Sequence, residues 1–523
     1  MKKKTTIPAL LLGAFLISLT YAFFDGNGTV LGSILAYFPV AAICAVMVMG
    51  VGYRQRDVEL PRWLLPALLG GLLLRLLLGL LLYRALPEIG YDTEIQNEGY
   101  VFADAFARDI DAWQLVQNNI SFPSLLTYSE GGDQYGGLLR MSTLIYKLFS
   151  PTVHRPLLMV LVGGLFGTIA CYYGWRFARA IFDSRVAAVT VLVMLFYPDA
   201  ILLGASQMRE PFIMAAMAWM FFGYAQMRSR GLKDALLPLG GGTLLALLIS
   251  PPMLVLTLLL IGGAWLADQR KQVRLPWWVW FVGMGGVAVA LFVTTSAWSR
   301  ISGSPEGNPI QLIWWWLTEG ARYQVLLLEQ RSGMVQVLFS LSPEWAHIPL
   351  ATLYGLVQPF FPAAVMDNTA PMIWRAISIW RAAGWFALLP FLLYAPFAAL
   401  RGMGLRNMAT YFSVSAWLMA LFVSYRAAGD QWDNPRYRAA FILLYALVTG
   451  WAWSYARRTG SRWLRHTGAV VAGVTVLLLQ WYAGRYLLVP SLSLFPTMAS
   501  IAVFIPAYLI AAWSIERRRS HRA

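Results

Sequence analysis

Acidic side chains crowd one stretch of this 523-residue chain, where Glu88, Asp92, Glu94, Glu98, Asp104, Asp109, Asp111, Glu130 and Asp133 follow one another. A solvated loop accounts for most of them. The sub-cluster from Asp92 to Asp104 asks for more, because Glu94 and Glu98 stand one helical turn apart, as do Tyr100 and Asp104. Like charges on adjacent turns repel, so the spacing predicts a cation, a hydroxyl-bearing substrate or a basic partner between them. A carboxylate placed there can also act as general base toward a hydroxyl nucleophile.

Two further constellations carry chemistry. Tyr197, Pro198 and Asp199 precede Ser206, Gln207, Met208, Arg209, Glu210 and Pro211. Glu210 can favour a helix dipole with Pro211 starting the helix; alternatively, Arg209 meets a phosphate while Glu210 or Asp199 orients a substrate. The run Asp430, Gln431, Trp432, Asp433, Asn434, Pro435, Arg436, Tyr437 and Arg438 is the third. Its arginines either pair with Asp430 and Asp433 or bind an anionic headgroup. His154, His347, His466 and His521 are scattered and neither an HExxH nor a CxxC occurs, which argues against zinc. No Walker A sequence is present, so nothing points to an ATP-driven pump.

The elements that must position these groups are membrane helices. With 59% hydrophobic and 13% charged residues and a mean hydropathy of +0.58, the chain would expose large apolar patches as a soluble domain. Ile7 to Phe24, Thr29 to Val51, Trp63 to Tyr83, Val186 to Leu203 and Leu275 to Ala297 approach or reach the ~20 apolar residues that cross a bilayer. Lys2 to Lys4 before the first run resemble a signal peptide, but no small-x-small site precedes Asp25, so a retained first helix is expected. Cys44 and Cys171 fall within spans and read as apolar filler. Arg75, in mid-span, must face the interior with an acidic or carbonyl partner.

The net charge of +16 lies in short loops rather than on one face, which speaks for topology and against nucleic acid. The positive-inside rule gives about 14 spans with both ends cytoplasmic. The basic groups are then Lys2 to Lys4; Arg54, Arg56 and Arg62; Arg176, Arg179 and Arg185; Arg228, Arg230 and Lys233; Arg270, Lys271 and Arg274; Arg401 and Arg406; Arg457, Arg458, Arg462 and Arg465; and Arg517 to Arg519 with Arg522. Pro349 to Val365 is apolar enough to cross, but crossing would reverse every later loop. Pro359 and Pro362 suit a re-entrant or interface-lying segment better.

Two external regions remain, 84–155 and 298–382. In the first, Thr93 to Leu115 predicts an amphipathic helix with Val101, Phe102, Ala105, Phe106, Ile110 and Trp113 on its apolar side. Gly131, Gly132, Gly136 and Gly137 break the chain before a second helix, Leu138 to Phe149, suited to the membrane surface. In the second, Trp314, Trp315 and Trp316 suit an interfacial aromatic belt better than a sugar platform.

Asn97, Glu98, Gly99 and Tyr100 running into the Ala-rich stretch to Ala107, Tyr146 to Phe149, Phe196 to Asp199 with Arg209 and Glu210, and Arg436 to Arg438 together resemble the GT-C class of polytopic membrane glycosyltransferases. Within it the chain is similar to family 39, the protein mannosyltransferase and lipid A aminoarabinose transferase type. The resemblance covers roughly Arg75 to Ala440 in order. It implies an all-α polytopic GT-C-like bundle with external amphipathic loop helices. It also implies inverting transfer of a sugar from a polyprenyl phosphate to an acceptor hydroxyl on the extracytoplasmic face of the cell (cytoplasmic or inner) membrane, the acceptor being a lipid, a glycan or a protein. Glu98 is the preferred base, with Asp92 and Asp104 as alternates, because Asn97 stands where relatives often carry a paired acid. Arg209, Arg436 and Arg438 would contact lipid phosphate, and Glu210 and Asp199 would orient substrate. A divalent cation stays open as a cofactor.

The same resemblance divides the chain into an added N-terminal transmembrane hairpin (1–62), a catalytic membrane module (63–440), and C-terminal helices with a basic tail (441–523). Two other readings compete. A polysaccharide polymerase or ligase would use a lipid diphosphate donor and rely more on external arginines. A non-enzymatic carrier would more often show an internal repeat and helices broken at midplane, and Pro251 and Pro252 lie at a span end instead.

Overall fold

The computed structural model describes residues 6–53, 60–128, 135–268, 277–302, 308, 311–315, 318, 321–322, 325, 333–367, 369–404 and 406–520. Lys2 to Lys4, Arg54, Arg56, Glu130 to Asp133, Arg270, Lys271, Arg274, Trp316, His521 and Arg522 lie outside the described residues.

The protein is an all-α, multi-pass membrane protein, with no strand among the described residues. The first fourteen helices are α1 (Thr6–Asp25), α2 (Val30–Tyr53), α3 (Leu64–Ile89), α4 (Glu94–Asn97), α5 (Ala103–Gln117), α6 (Phe122–Thr127), α7 (Gly137–Phe149), α8 (Leu157–Ile181), α9 (Ser184–Phe196), α10 (Pro198–Gly204), α11 (Glu210–Arg230), α12 (Leu232–Ile249), α13 (Pro251–Ala267) and α14 (Trp277–Ser302). Eight described helices are long and apolar enough to cross a membrane, or ten if each of two bent pairs is one span. Three shorter apolar helices add to these, and the expected count of about 14 is not reached by length and composition alone.

The chain packs as two compact units. One comprises Met1–Ile181, Val191–Trp265 and Arg270–Trp316; the other comprises Phe182–Thr190, Leu266–Gln269 and Leu317–Ala523. In the first, α8 and α11 form the centre, buried along most of their length. The ring pairs Phe166 with Phe212 (4.6 Å) and Phe177 with Phe221 (5.0 Å) lie between them. The N-terminal hairpin is tied down twice. The Tyr21 hydroxyl donates to the Leu76 carbonyl at 2.9 Å, and buried Arg155 reaches Asp25 (3.3 Å) and the Ser33 hydroxyl (3.2 Å) from the segment before α8.

Val186 to Leu203, expected as one span, is bent by 54° between α9 and α10. Pro198 has no N–H to continue the ladder and drives Tyr197 out of the helical region, to φ −65°, ψ 123°. Arg75 is fully buried, and its partners are carbonyls. It donates to Gly71 (2.8 Å) and Met194 (3.3 Å), with the Cys171 sulfur 3.9 Å away. A β-carbon on Gly167 or Gly204 would meet the Arg75 side chain at 3.1 or 2.8 Å, so these glycines make the room a long cation needs at this depth.

In the second unit, Pro349 to Val365 does not form one crossing helix. Glu344–Leu356 and Phe361–Met366 flank a break at Val357 to Phe360, in line with an irregular segment. Helices Met372–Met403, Met408–Ala427 and Ile442–Thr459 pack together, with Trp385 against Tyr445 at 5.6 Å. The short helix Asp433–Ala439 meets Ile442–Thr459 at 70°.

Candidate functional site

The expected helix from Thr93 to Leu115 is two helices, not one. Thr93 caps α4, its hydroxyl accepting from the Gln96 amide at 3.4 Å, and the helix ends at Glu98. Gly99 then adopts φ +80°, and a β-carbon there would lie 2.5 Å from the Tyr83 carbonyl oxygen. Only glycine fits, because both the left-handed backbone and the contact exclude a side chain. The helical-turn spacing of Tyr100 with Asp104 therefore does not hold, whereas Glu94 and Glu98 keep theirs, the Glu98 amide donating to the Glu94 carbonyl at 3.2 Å.

Asp92, Glu98 and Asp104 are all exposed. Asp92 accepts a hydrogen bond from Asn97 Nδ2 at 3.1 Å and braces α4. Asp104 lies in the first turn of α5, where a negative charge favours the helix dipole. Glu98 directly precedes Gly99, Tyr100 and Val101, which form one wall of a cleft.

Ala205, Ser206 and Gln207, from the turn between α10 and α11, line the same cleft, as do Leu82 and Tyr83 of α3. The two stretches singled out in the sequence, around Glu98 and before Arg209, thus meet at one place. Gln207 sits at φ +56°, and its carbonyl accepts from Arg108 of α5, which ties this turn to that helix. The cleft holds ≈ 20 Å³, space for about one water. Arg209, half-buried, places its guanidinium 5.8 Å from the centre of the Tyr135 ring. Asp199 and Glu210 are buried, each at 1% exposure, in the first turns of α10 and α11.

Beyond Tyr100 lies a carboxylate, Asp109, whose sequence neighbours suggest a solvated loop. Asp109 is 1% exposed and accepts from three side chains: Tyr100 Oη at 2.6 Å, His154 Nε2 at 2.8 Å, and the Tyr146 hydroxyl. His154 is stacked on Trp113, with ring centres 5.1 Å apart. Burial, and then the Asp109 charge, hold the Tyr100 and Tyr146 phenols well above their ordinary range, so both remain donors. The sequence did contain a signal. Ala105, Asp109, Ala112 and Val116 follow the 4-3-4 spacing of one helix face, and all four are buried.

In the second unit, Asp430 does not pair with an arginine among the described residues. Its carboxylate accepts from the amides of Trp432 (2.7 Å) and Asp433 (2.6 Å), closing its own turn. Buried Arg436 lies 3.4 Å from Asp433. Arg438 is fully buried, 3.5 Å over the Trp385 ring, and donates to the carbonyls of Leu356 (3.4 Å) and Gln358. Among the described residues, no three His, Cys, Asp or Glu side chains come together as metal ligands.

No family model and no curated protein matches this sequence. Among solved structures, the chain is similar to the Archaeoglobus fulgidus oligosaccharyltransferase in its apo form, with TM-score 0.40 at 15% identity, over 79% of this chain and 55% of that one. It is also similar to the Archaeoglobus fulgidus oligosaccharyltransferase AglB in complex with an inhibitory peptide and a dolichol-phosphate, with TM-score 0.40 at 13% identity, over 86% and 55%. A form of the same enzyme tethered to an acceptor peptide containing the NVT sequon gives TM-score 0.38 at 12% identity, over 79% and 53%. The chain spans about half the length of these proteins.

Proposed function

We propose that the protein is an inverting membrane glycosyltransferase of the GT-C type, moving a sugar from a polyprenyl-phosphate donor to an acceptor hydroxyl at the extracytoplasmic surface. The observation that carries the reading is the cleft in which the loop after Glu98 meets the turn before Arg209. The acceptor oxygen attacks the anomeric carbon and the bond from that carbon to the phosphate oxygen breaks. The phosphate leaves with the electron pair, and Glu98 takes the acceptor's proton. Arg209 stabilises the leaving phosphate, and Glu210 and Asp199, behind the same turn, orient the donor. Asp92 and Asp104 are the alternate bases; Arg436, in the second unit, is a phosphate contact implied by the sequence resemblance alone. Arg438 is already committed to two carbonyls and a ring, which lends less support to a mechanism resting on the external arginines alone.

A water-sized cleft must open before a sugar phosphate enters, and Gly99 and Gln207 are where its walls turn. The test is sugar transfer from a polyprenyl-phosphate donor in membranes carrying Glu98→Gln, Asp92→Asn and Asp104→Asn. Glu98→Gln is expected to cost about 10²- to 10⁴-fold in turnover, with the other two close to wild type. Normal turnover in all three, singly and combined, rules out a carboxylate base in this loop.

A further inference from the structure

The second unit contains a cavity of ≈ 690 Å³ between helices Met372–Met403, Ile442–Thr459, Trp463–Leu487 and Leu494–Ser520. Its lining is ordered along the helix axes. Arg401, Ser461, Trp463 and Trp513 lie at or near helix ends, and Leu393, Val470 and Ile505 lie further in along their helices. On each of three helices the polar or aromatic position and the aliphatic one are seven or eight residues apart, about 12 Å along the axis. That is the profile of a bilayer from headgroup level into hydrocarbon, with tryptophans at the boundary.

The neighbouring cations are engaged. Arg458 meets Asp183 at 3.2 Å, and Arg462 meets Glu516 at 3.7 Å. Arg401 is exposed at the rim and has no carboxylate or ring partner among the described residues. A guanidinium beside a deep apolar cavity fits a molecule with an anionic phosphate at one end and hydrocarbon at the other. The volume lies in the range of specific ligand sites. The positive-inside reading puts Arg401 at the cytoplasmic surface, where anionic phospholipids concentrate.

We infer that this cavity is a binding site for an anionic phospholipid of that leaflet, its phosphate on Arg401 and an acyl chain between Leu393, Val470 and Ile505. The site belongs to the second unit and does not depend on the function proposed for the cleft.

The experiment is native mass spectrometry of the full-length protein in detergent, offered phosphatidylglycerol and phosphatidylcholine of identical chains. Preferential retention of one phosphatidylglycerol is expected. Arg401→Gln should weaken it about tenfold, the worth of one charge-assisted contact. Ala398→Trp, which fills the cavity, should lower retention of both lipids with thermal unfolding unchanged. Equal retention of the two lipids by the wild-type protein, or unaltered phosphatidylglycerol binding in either variant, overturns the assignment. So does stronger binding of a polyprenyl phosphate than of phosphatidylglycerol, which would give the cavity to a donor lipid instead.

Discussion

The Tyr100 hydroxyl lies 2.6 Å from Asp109 Oδ2, and this one bond joins the wall of the cleft to the carboxylate buried behind it. Tyr146 and His154 complete the set on Asp109, so the loop after α4, helices α5 and α7, and the segment before α8 converge on a single charge. Buried carboxylates persist only where donors satisfy them. Removing one donor tests how much of the extramembrane layer depends on it. Tyr100→Phe should destabilise the protein by about 1–3 kcal/mol, read as a lower thermal unfolding temperature in detergent. Combined with Tyr146→Phe the effect should depart from additivity, because both bonds share one acceptor.

The same two phenols set an alkaline limit. Their pKa values are raised in the folded protein, first by burial and then by Asp109, so above about pH 10 the unfolded chain releases protons that the folded one keeps. Their contribution to stability is therefore complete below that pH and is lost as pH rises from there toward the folded values. Unfolding temperature measured from about pH 8 to 11 should fall above pH 10, and more gently in Tyr100→Phe than in the wild type. Equal slopes would show that this phenol does not carry the effect.

Gly99 offers a way to disturb the cleft without touching a charge. Gly99→Ala puts a β-carbon against the Tyr83 carbonyl in a left-handed backbone, at a cost of about 1–3 kcal/mol. Sugar transfer should fall although Glu98 is intact. Transfer at the wild-type rate would separate this loop from the chemistry.

Arg75 depends on the glycines around it. Gly204→Ala would bring a methyl within 2.8 Å of Arg75 Cδ and push the guanidinium off the Met194 carbonyl, and overpacking of this kind typically costs about 1–3 kcal/mol. An unfolding temperature matching the wild type would mean that α3 shifts freely, contrary to the packing seen here.

Arg438 and Arg209 are both arginines near loop ends, yet their surroundings differ. Arg438→Lys keeps the charge but loses the planar fork that serves the Leu356 and Gln358 carbonyls and lies on Trp385. It should lower unfolding temperature while leaving the KM for the lipid-linked donor unchanged. Arg209→Lys should raise that KM with unfolding temperature held. Both responses can be read from one pair of purified variants.

Much of the membrane layer was legible because hydropathy is written residue by residue. The runs from Ile7 and Thr29 appear as α1 and α2 with ends close to those expected, the run from Trp63 appears as α3 but continues past Tyr83 to Ile89, and Leu138 to Phe149 appears as α7. The helix from Thr93 failed at Gly99. Periodicity there is compatible with continuation, but Gly99 turns to φ +80° where the Tyr83 carbonyl of α3 leaves no room for a side chain. The bend at Pro198 was marked in the sequence by the proline itself, but hydropathy alone read through it.

What the chain determined by itself is its solvent. Long apolar runs and short basic loops leave a bilayer as the only environment that hides them, and each run carries that information locally. What tertiary structure decided is which carboxylate is buried and which arginine is already committed. Asp109 finds His154 across 45 positions, and Arg438 finds Gln358 across 80. A hydrogen-bond partner is a property of two segments brought together in space, and neither segment specifies it alone.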